Sequence, residues 1–202
     1  MKSMNLFYRE TKDIFRLRIP FDTVYTSVFL IQTETGAILV DCATTDDDVD
    51  SCILPALHAL GYKPSDIRAL VLTHSHGDHA GGCKRLLAHA PHLTVVTDVR
   101  KLCDGIFTYA LPGHTEDSIG VFDERTNTLI SGDGLQGAGV DKYRCYLEAP
   151  EAYTQTLCKI ENDERIRNIL FSHAYEPWNT DRAIGRERVL DCLTQCRKYV
   201  KE

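Results

Sequence analysis

A surplus of positive charge is missing from this sequence: 23 lysines and arginines stand against 29 aspartates and glutamates, and the formal net charge at pH 7 is -6. A nucleic-acid partner is therefore not expected, because binding a polyphosphate needs a basic face that displaces its counterions. Long apolar runs are missing too. The opening MKSMNLFYRETKDIFRLRIP interleaves charge with apolar residues, so no signal-peptide core is expected there, and no later run is long enough to cross a bilayer. The cytoplasm is the expected compartment, and a membrane is not an expected partner. Repeats, low-complexity tracts and linkers are absent as well. With 43% hydrophobic and 26% charged residues, the chain has apolar side chain enough for a core and no composition of the disordered kind. Residues 1–202 are expected to form one domain.

Cysteine is not scarce, but a disulfide pattern is. Cys42, Cys52, Cys83, Cys103, Cys145, Cys158, Cys192 and Cys196 are scattered along the chain, and a core of this size needs no covalent staples. Reduced, mostly buried thiols are expected. Cys192 and Cys196, four apart in a helical pattern, read as a packed helix face rather than a metal clip.

What is present begins with strands. IFRLRI at 14–19, VYTSVFLIQT at 24–33 and GAILVDC at 36–42 are rich in β-branched and aromatic residues, with Glu34-Thr35-Gly36 as the turn between the last two. After the acidic start Asp46-Asp47-Asp48, VDSCILPALHAL carries apolar residues at helical spacing until Gly61. The strand RALVLT at 68–73 runs into HSHGDHAGG, and CKRLLAHA beyond it is helical in pattern. LTVVT at 93–97, GIFTYAL at 105–111, SIGVFDE at 118–124, NTLISGD at 127–133 and NILFSH at 168–173 read as further strands. Helices are expected at about 150–162 and 181–200. This order does not suit a regular βαβ wind and does suit two sheets with helices outside.

The chemistry concentrates in His74-Ser75-His76-Gly77-Asp78-His79. Positions 74 and 76 of an extended chain point the same way, and Gly77 is expected to turn the chain so that Asp78 and His79 reach the same pocket from another side. Imidazoles with a carboxylate suit zinc, iron and related cations, and the carboxylate can also take a proton from water. His58, His89 and His92 are left aside as surface or packing residues. Tyr143, Tyr146 and Tyr175, which follow later motifs, are possible pocket donors.

HSHGDHAGG, with Leu39-Val40-Asp41 upstream and Leu111-Pro112-Gly113-His114-Thr115, Ser131-Gly132-Asp133 and Phe171-Ser172-His173 following in order downstream, resembles the motif set of the metallo-β-lactamase superfamily. The resemblance runs from about residue 14 to 175. It implies an α/β fold, a four-layer αββα sandwich with the site at one edge. It also implies two divalent metal ions, zinc first and iron or manganese as alternatives. His74, His76 and His114 would take one, Asp78, His79 and His173 the other, with Asp133 and a hydroxide bridging them. In that scheme Asp78 also handles a proton, and Asp41 fixes a ligand histidine through a hydrogen bond.

The superfamily hosts many reactions, so the fold does not choose a substrate. Its classical β-lactamases lack the bridging aspartate and are generally exported, which argues against antibiotic hydrolysis. Its nucleases carry an inserted domain or a basic arm, and its flavodiiron members have glutamate where His76 stands. Glyoxalase II enzymes share the complete ligand set but carry a glutathione-binding helical tail, and only 29 residues follow His173. Acyl-homoserine lactonases have a tyrosine just after the bridging aspartate, where Gly134-Leu135-Gln136 stands here. The expectation is a glyoxalase-like hydrolase that cleaves a thioester or ester of a small-molecule substrate. A lactonase is the alternative, with a mononuclear iron persulfide dioxygenase or a non-catalytic metal protein in other classes. Oligomeric state is not legible in the sequence.

Overall fold

The computed structural model describes residues 6–21, 23–136, 146–175 and 179–200. They fall into two compact units, Met1–Thr97 and Asp98–Glu202. Each is built on one six-stranded sheet.

In the first unit the strands β1 (Tyr8–Arg9), β2 (Ile14–Phe21), β3 (Val24–Thr33), β4 (Gly36–Val40), β5 (Ile67–Val71) and β6 (Thr94–Val96) lie side by side in chain order. The first four are antiparallel, and β5 and β6 continue parallel to β4. A parallel neighbour needs a crossover, and helical segments supply it. One runs from α1 (Asp46–Asp48) through a wide-turn π segment (Val49–Ile53) into α2 (Leu54–Ala59); the other comprises α3 (Gly77–Ala80) and α4 (Cys83–His89). Thr45 starts the first crossover with a reciprocal cap: its hydroxyl accepts from Asp48 N at 3.1 Å, and Asp48 Oδ2 accepts from Thr45 N at 2.9 Å. Leu17, Leu30, Leu39, Ile53, Leu57, Leu70 and Leu86 share one buried cluster, and truncating any of the leucines to alanine costs about 2–5 kcal/mol. Arg16 is fully buried on β2, paired with Glu10 at 2.7 Å and stacked over Phe29 with its guanidinium 4.7 Å from the ring centre.

The second unit carries β7 (Lys101–Cys103), β8 (Ile106–Ala110), β9 (Ile119–Asp123), β10 (Thr128–Ile130), β11 (Asn168–Leu170) and β12 (Arg182–Ile184), again neighbours in chain order. Only β10 and β11 run parallel, and the crossover between them includes α5 (Pro150–Asn162). α6 (Arg186–Tyr199) packs on α5, and Tyr153, Leu157, Ile160, Ile169, Val189 and Leu193 form the core of this unit.

Both sheets solve the same problem in the same way. The register Val40↔Val71 makes β4 and β5 end together, so Asp41 and the segment Leu72-Thr73-His74 leave side by side. The register Ile130↔Leu170 does so for β10 and β11, so Ser131-Gly132-Asp133 leaves beside Phe171-Ser172-His173. Carboxyl ends of adjacent parallel strands are where α/β sheets present chemistry.

Most expected elements are present. β1, β7 and β12 are additions to the expected set: two- and three-residue strands are too short to show periodicity, and only pairing with a neighbour defines them. The helix expected from 181 begins at Arg186 because residues 182–184 pair with β11. No helix among the described residues is long and apolar enough to cross a membrane.

Candidate metal centre

In the first unit three imidazoles converge. The His74 ring centre lies 4.6 Å from that of His76 and 4.2 Å from that of His79. His76 caps α3 in extended conformation, with φ -63° and ψ 148°, and its carbonyl accepts from His79 N at 3.0 Å and Ala80 N at 2.9 Å. The chain therefore turns by starting a helix at Gly77, whose φ is not positive and whose Cβ position is open; the special glycine angles expected there are not used. Asp78 then follows on α3, with Oδ2 3.3 Å from His79 Nε2.

The glycines that matter come just after. A Cβ on Gly81 would collide with the Thr44 carbonyl oxygen, and one on Gly82 with the Cys42 carbonyl oxygen. These close approaches let the loop after β4 grip the ligand turn: Cys42 N donates to the His79 carbonyl at 2.8 Å and Gly82 N to the Ala43 carbonyl at 3.3 Å.

Asp41, fully buried and in left-handed backbone conformation with φ 63°, accepts at Oδ1 from Thr73 N at 2.8 Å. Its Oδ2 stands 2.9 Å from Thr73 Oγ1 and 2.8 Å from His79 Nδ1. An ionised carboxylate only accepts, so His79 carries its proton on Nδ1 and Thr73 donates its hydroxyl proton to Asp41. Thr73 Oγ1, 3.1 Å from His74 Nδ1, is then left to accept, which puts the His74 proton on Nδ1 as well.

In the second unit His114 follows β8 on Pro112-Gly113, where Gly113 lies against the ring and backbone of Tyr153 with φ 150°. His114 Nδ1 donates to the Tyr146 carbonyl at 2.8 Å. Asp133 offers one oxygen to each neighbouring histidine: Oδ2 is 3.7 Å from His114 Nε2 and Oδ1 is 3.2 Å from His173 Nε2. His114, Asp133 and His173 are all buried.

The donor chemistry fits divalent cations. His74, His79 and His114 each spend Nδ1–H on a protein oxygen, which puts the lone pair on Nε2, the arrangement by which metal-ligating histidines are held. The carboxylate between His114 and His173 has both oxygens turned to imidazole nitrogens. The structure thus assembles the first motif with Asp41 in one unit and His114, Asp133 and His173 in the other. Two contributors escape sequence reasoning. Thr73 reads as an ordinary strand former, and its place directly before His74 is the one signal that could have found it; the Tyr146 carbonyl has no side-chain signature at all. Tyr146 and Tyr175 do border the site histidines, with ring centres 6.1 Å from His114 and 5.3 Å from His173, while Tyr143 lies outside the described residues. His58 is exposed, His89 pairs with Asp50 at 3.0 Å and His92 meets the Ile67 carbonyl at 3.2 Å, so all three stand apart from the ligand set.

A family model described as the metallo-beta-lactamase superfamily matches residues 21–102, the segment that carries Asp41 and the whole HSHGDHAGG motif. Over that segment the chain resembles the metallo-β-lactamase superfamily. It is 28% identical to the hydroxyacylglutathione hydrolase of Erwinia tasmaniensis, over 68% of this chain and 67% of that protein. It is 30% identical to the hydroxyacylglutathione hydrolase of Vibrio parahaemolyticus, over 72% of this chain and 63% of that protein. The chain thus spans about two thirds of the length of these curated relatives. Among solved structures, the mono-zinc form of the metallo-β-lactamase FIM-1 from Pseudomonas aeruginosa aligns with a TM-score of 0.77 at 17% identity, over 99% of this chain and 98% of that one. This last likeness is one of fold, and it shows the α/β metallo-β-lactamase fold expected from the motifs.

Proposed function

We propose that the chain is a metal-dependent hydrolase of a small-molecule thioester or ester. Following the motif order of the family, His74, His76 and His114 would hold one divalent cation and Asp78, His79 and His173 a second, with Asp133 shared. Zinc is the first choice for such ligands, and iron or manganese also suits them. The observation that carries the reading is the pair of arrangements described above: Nδ1 protons fixed on His74, His79 and His114, and Asp133 facing His114 and His173 with separate oxygens. The likeness to hydroxyacylglutathione hydrolases, named for cleavage of a glutathione thioester, supports a thioester over other acyl substrates.

Bound there, divalent cations supply a water of lowered pKa and a polarised acyl carbonyl. The side chains do the rest. Asp41 and Thr73 keep His74 and His79 in one tautomer and one orientation. Asp78, whose side chain retains 17% exposure, is placed to take a proton from the attacking water on a carboxylate oxygen. The water oxygen bonds to the acyl carbon, the C–S or C–O bond breaks, and the departing thiol or alcohol receives a proton.

The test is an initial-rate panel on zinc-loaded protein with a thioester, an acyl lactone, a β-lactam and a bis-aryl phosphodiester, each with and without chelator. Chelator-sensitive thioester turnover at kcat/KM of at least about 10⁴ M⁻¹s⁻¹ is expected. Turnover of the lactone alone would move the substrate class to lactones, and no turnover of any substrate would overturn the hydrolase reading.

A further inference from the structure

A second donor pair lies in the second unit, away from the histidines. Cys192 and Cys196 sit one turn apart on α6, both buried, with their sulfurs 4.0 Å apart. Cys196 Sγ donates to the Gln136 carbonyl at 3.4 Å. The hydrogen bond to Cys196 and burial push the Cys192 thiol well above its usual range, so Cys192 rests as a neutral thiol. Closing a disulfide would require the sulfurs to approach to about 2.05 Å within a continuous helix. A tetrahedral zinc clip needs four donors, and among the described residues no third histidine, cysteine or carboxylate atom joins these two sulfurs.

What two thiols at this separation do suit is a soft cation content with two sulfur ligands. Access exists. A groove of about 700 Å³ between β12 and α6 is lined by Phe171, Arg182, Arg188, Asp191, Cys192 and Gln195 among others, so Cys192 is one of its wall residues. We propose that Cys192 and Cys196 form a two-thiolate site for a single monovalent soft cation of the Cu(I) class, entered from this groove.

The step balances without a redox partner. Two S–H bonds are lost, two protons go to solvent, two metal–sulfur bonds form, and the cation keeps its oxidation state. The product carries one net negative charge. Arg188, one turn before Cys192 on the same helix, and Arg182 also line the groove, each beside an aspartate, Asp191 at 3.8 Å and Asp181 at 3.1 Å. Loading also takes the Cys196 proton from the Gln136 carbonyl, and Gln136 is three residues beyond Asp133 in the same buried segment, 131–136.

The experiment is an anaerobic titration of zinc-loaded protein with Cu(I) delivered from a coloured chelator. The expected result is withdrawal of one equivalent by the wild type and by Cys83→Ser, with that equivalent lost in Cys192→Ser and in Cys196→Ser. X-ray absorption on the loaded wild type, which does not depend on either variant folding, is expected to show two sulfur neighbours. Retention of the equivalent in both Cys192→Ser and Cys196→Ser, a coordination shell dominated by nitrogen or oxygen, or a chelator that keeps its copper would each overturn the proposal.

Discussion

Oδ2 of Asp41 stands 2.8 Å from Nδ1 of His79, and the same oxygen reaches His74 through the Thr73 hydroxyl. One buried carboxylate thereby sets the proton positions of two histidines in the candidate metal centre.

Asp41→Asn is expected to weaken metal binding by about 10–100-fold, the usual effect of losing a partner that orients a ligand histidine. An amide has one acceptor oxygen, yet Thr73 N, the Thr73 hydroxyl and His79 Nδ1 all donate to this side chain, so at least one donor is left facing an NH₂ group. Thr73→Val removes only the arm to His74 and should cost less. Competition against a chromophoric chelator measures both. Wild-type affinity in Asp41→Asn would show that the carboxylate does not orient the ligands.

Gly81→Ala is expected to destabilise the protein by about 1–3 kcal/mol, because the new methyl group must displace the Thr44 carbonyl from a packed loop. Gly77→Ala, one helical turn earlier in the same motif but with nothing near its Cβ position, should leave the melting temperature close to that of the wild type. Thermal melts of the two variants side by side decide the point, and equal melting temperatures would contradict the packing described.

This contrast shows how far the sequence could be read. HSHGDHAGG announces its donors because three histidines and an aspartate in six positions have few other uses. The strands at 24–33 and 36–42 announce themselves through length and β-branched composition. What stayed hidden depends on tertiary pairing. Residues 182–184 look helical until β11 pairs with them, and Gly77 looks like the turn-maker although the close approaches fall at Gly81 and Gly82. The Tyr146 carbonyl, which fixes His114, is a main-chain group and has no residue type to betray it. Thr73 is the instructive middle case: its hydroxyl links Asp41 to His74, but threonine is an ordinary strand residue, so its type alone does not mark that link.

Tyr109 should titrate late. Burial, followed by the neighbouring negative charge of Asp163, raises its phenol to about 12, against about 10 for an ordinary tyrosine. Its hydroxyl donates to Asp163 Oδ2 at 3.4 Å. A folded-state value above the unfolded one means that the stabilisation is fully present below about pH 10 and is lost as pH rises through about 12. Absorbance at the tyrosinate band should lose one late-ionising component in Tyr109→Phe. A titration identical in wild type and variant would remove the basis for this expectation.

Asp133 provides the sharpest test of metal number. Its two oxygens face different histidines, 3.2 Å from His173 Nε2 and 3.7 Å from His114 Nε2, a use of both oxygens that a single cation bound on one side would not require. Asp133→Ala is therefore expected to reduce bound zinc from two ions per chain toward one. Hydrolysis should fall by about 100-fold or more, equivalent to about 2.7 kcal/mol of transition-state stabilisation. Circular dichroism is expected to stay that of the wild type, since Asp133 lies on a loop after β10 and contributes nothing to the apolar core. Metal analysis after gel filtration separates the outcomes. One ion per chain in the wild type, unchanged in Asp133→Ala, would mean a mononuclear centre, and the iron oxygenase class would then account for the ligand set better than a two-metal hydrolase.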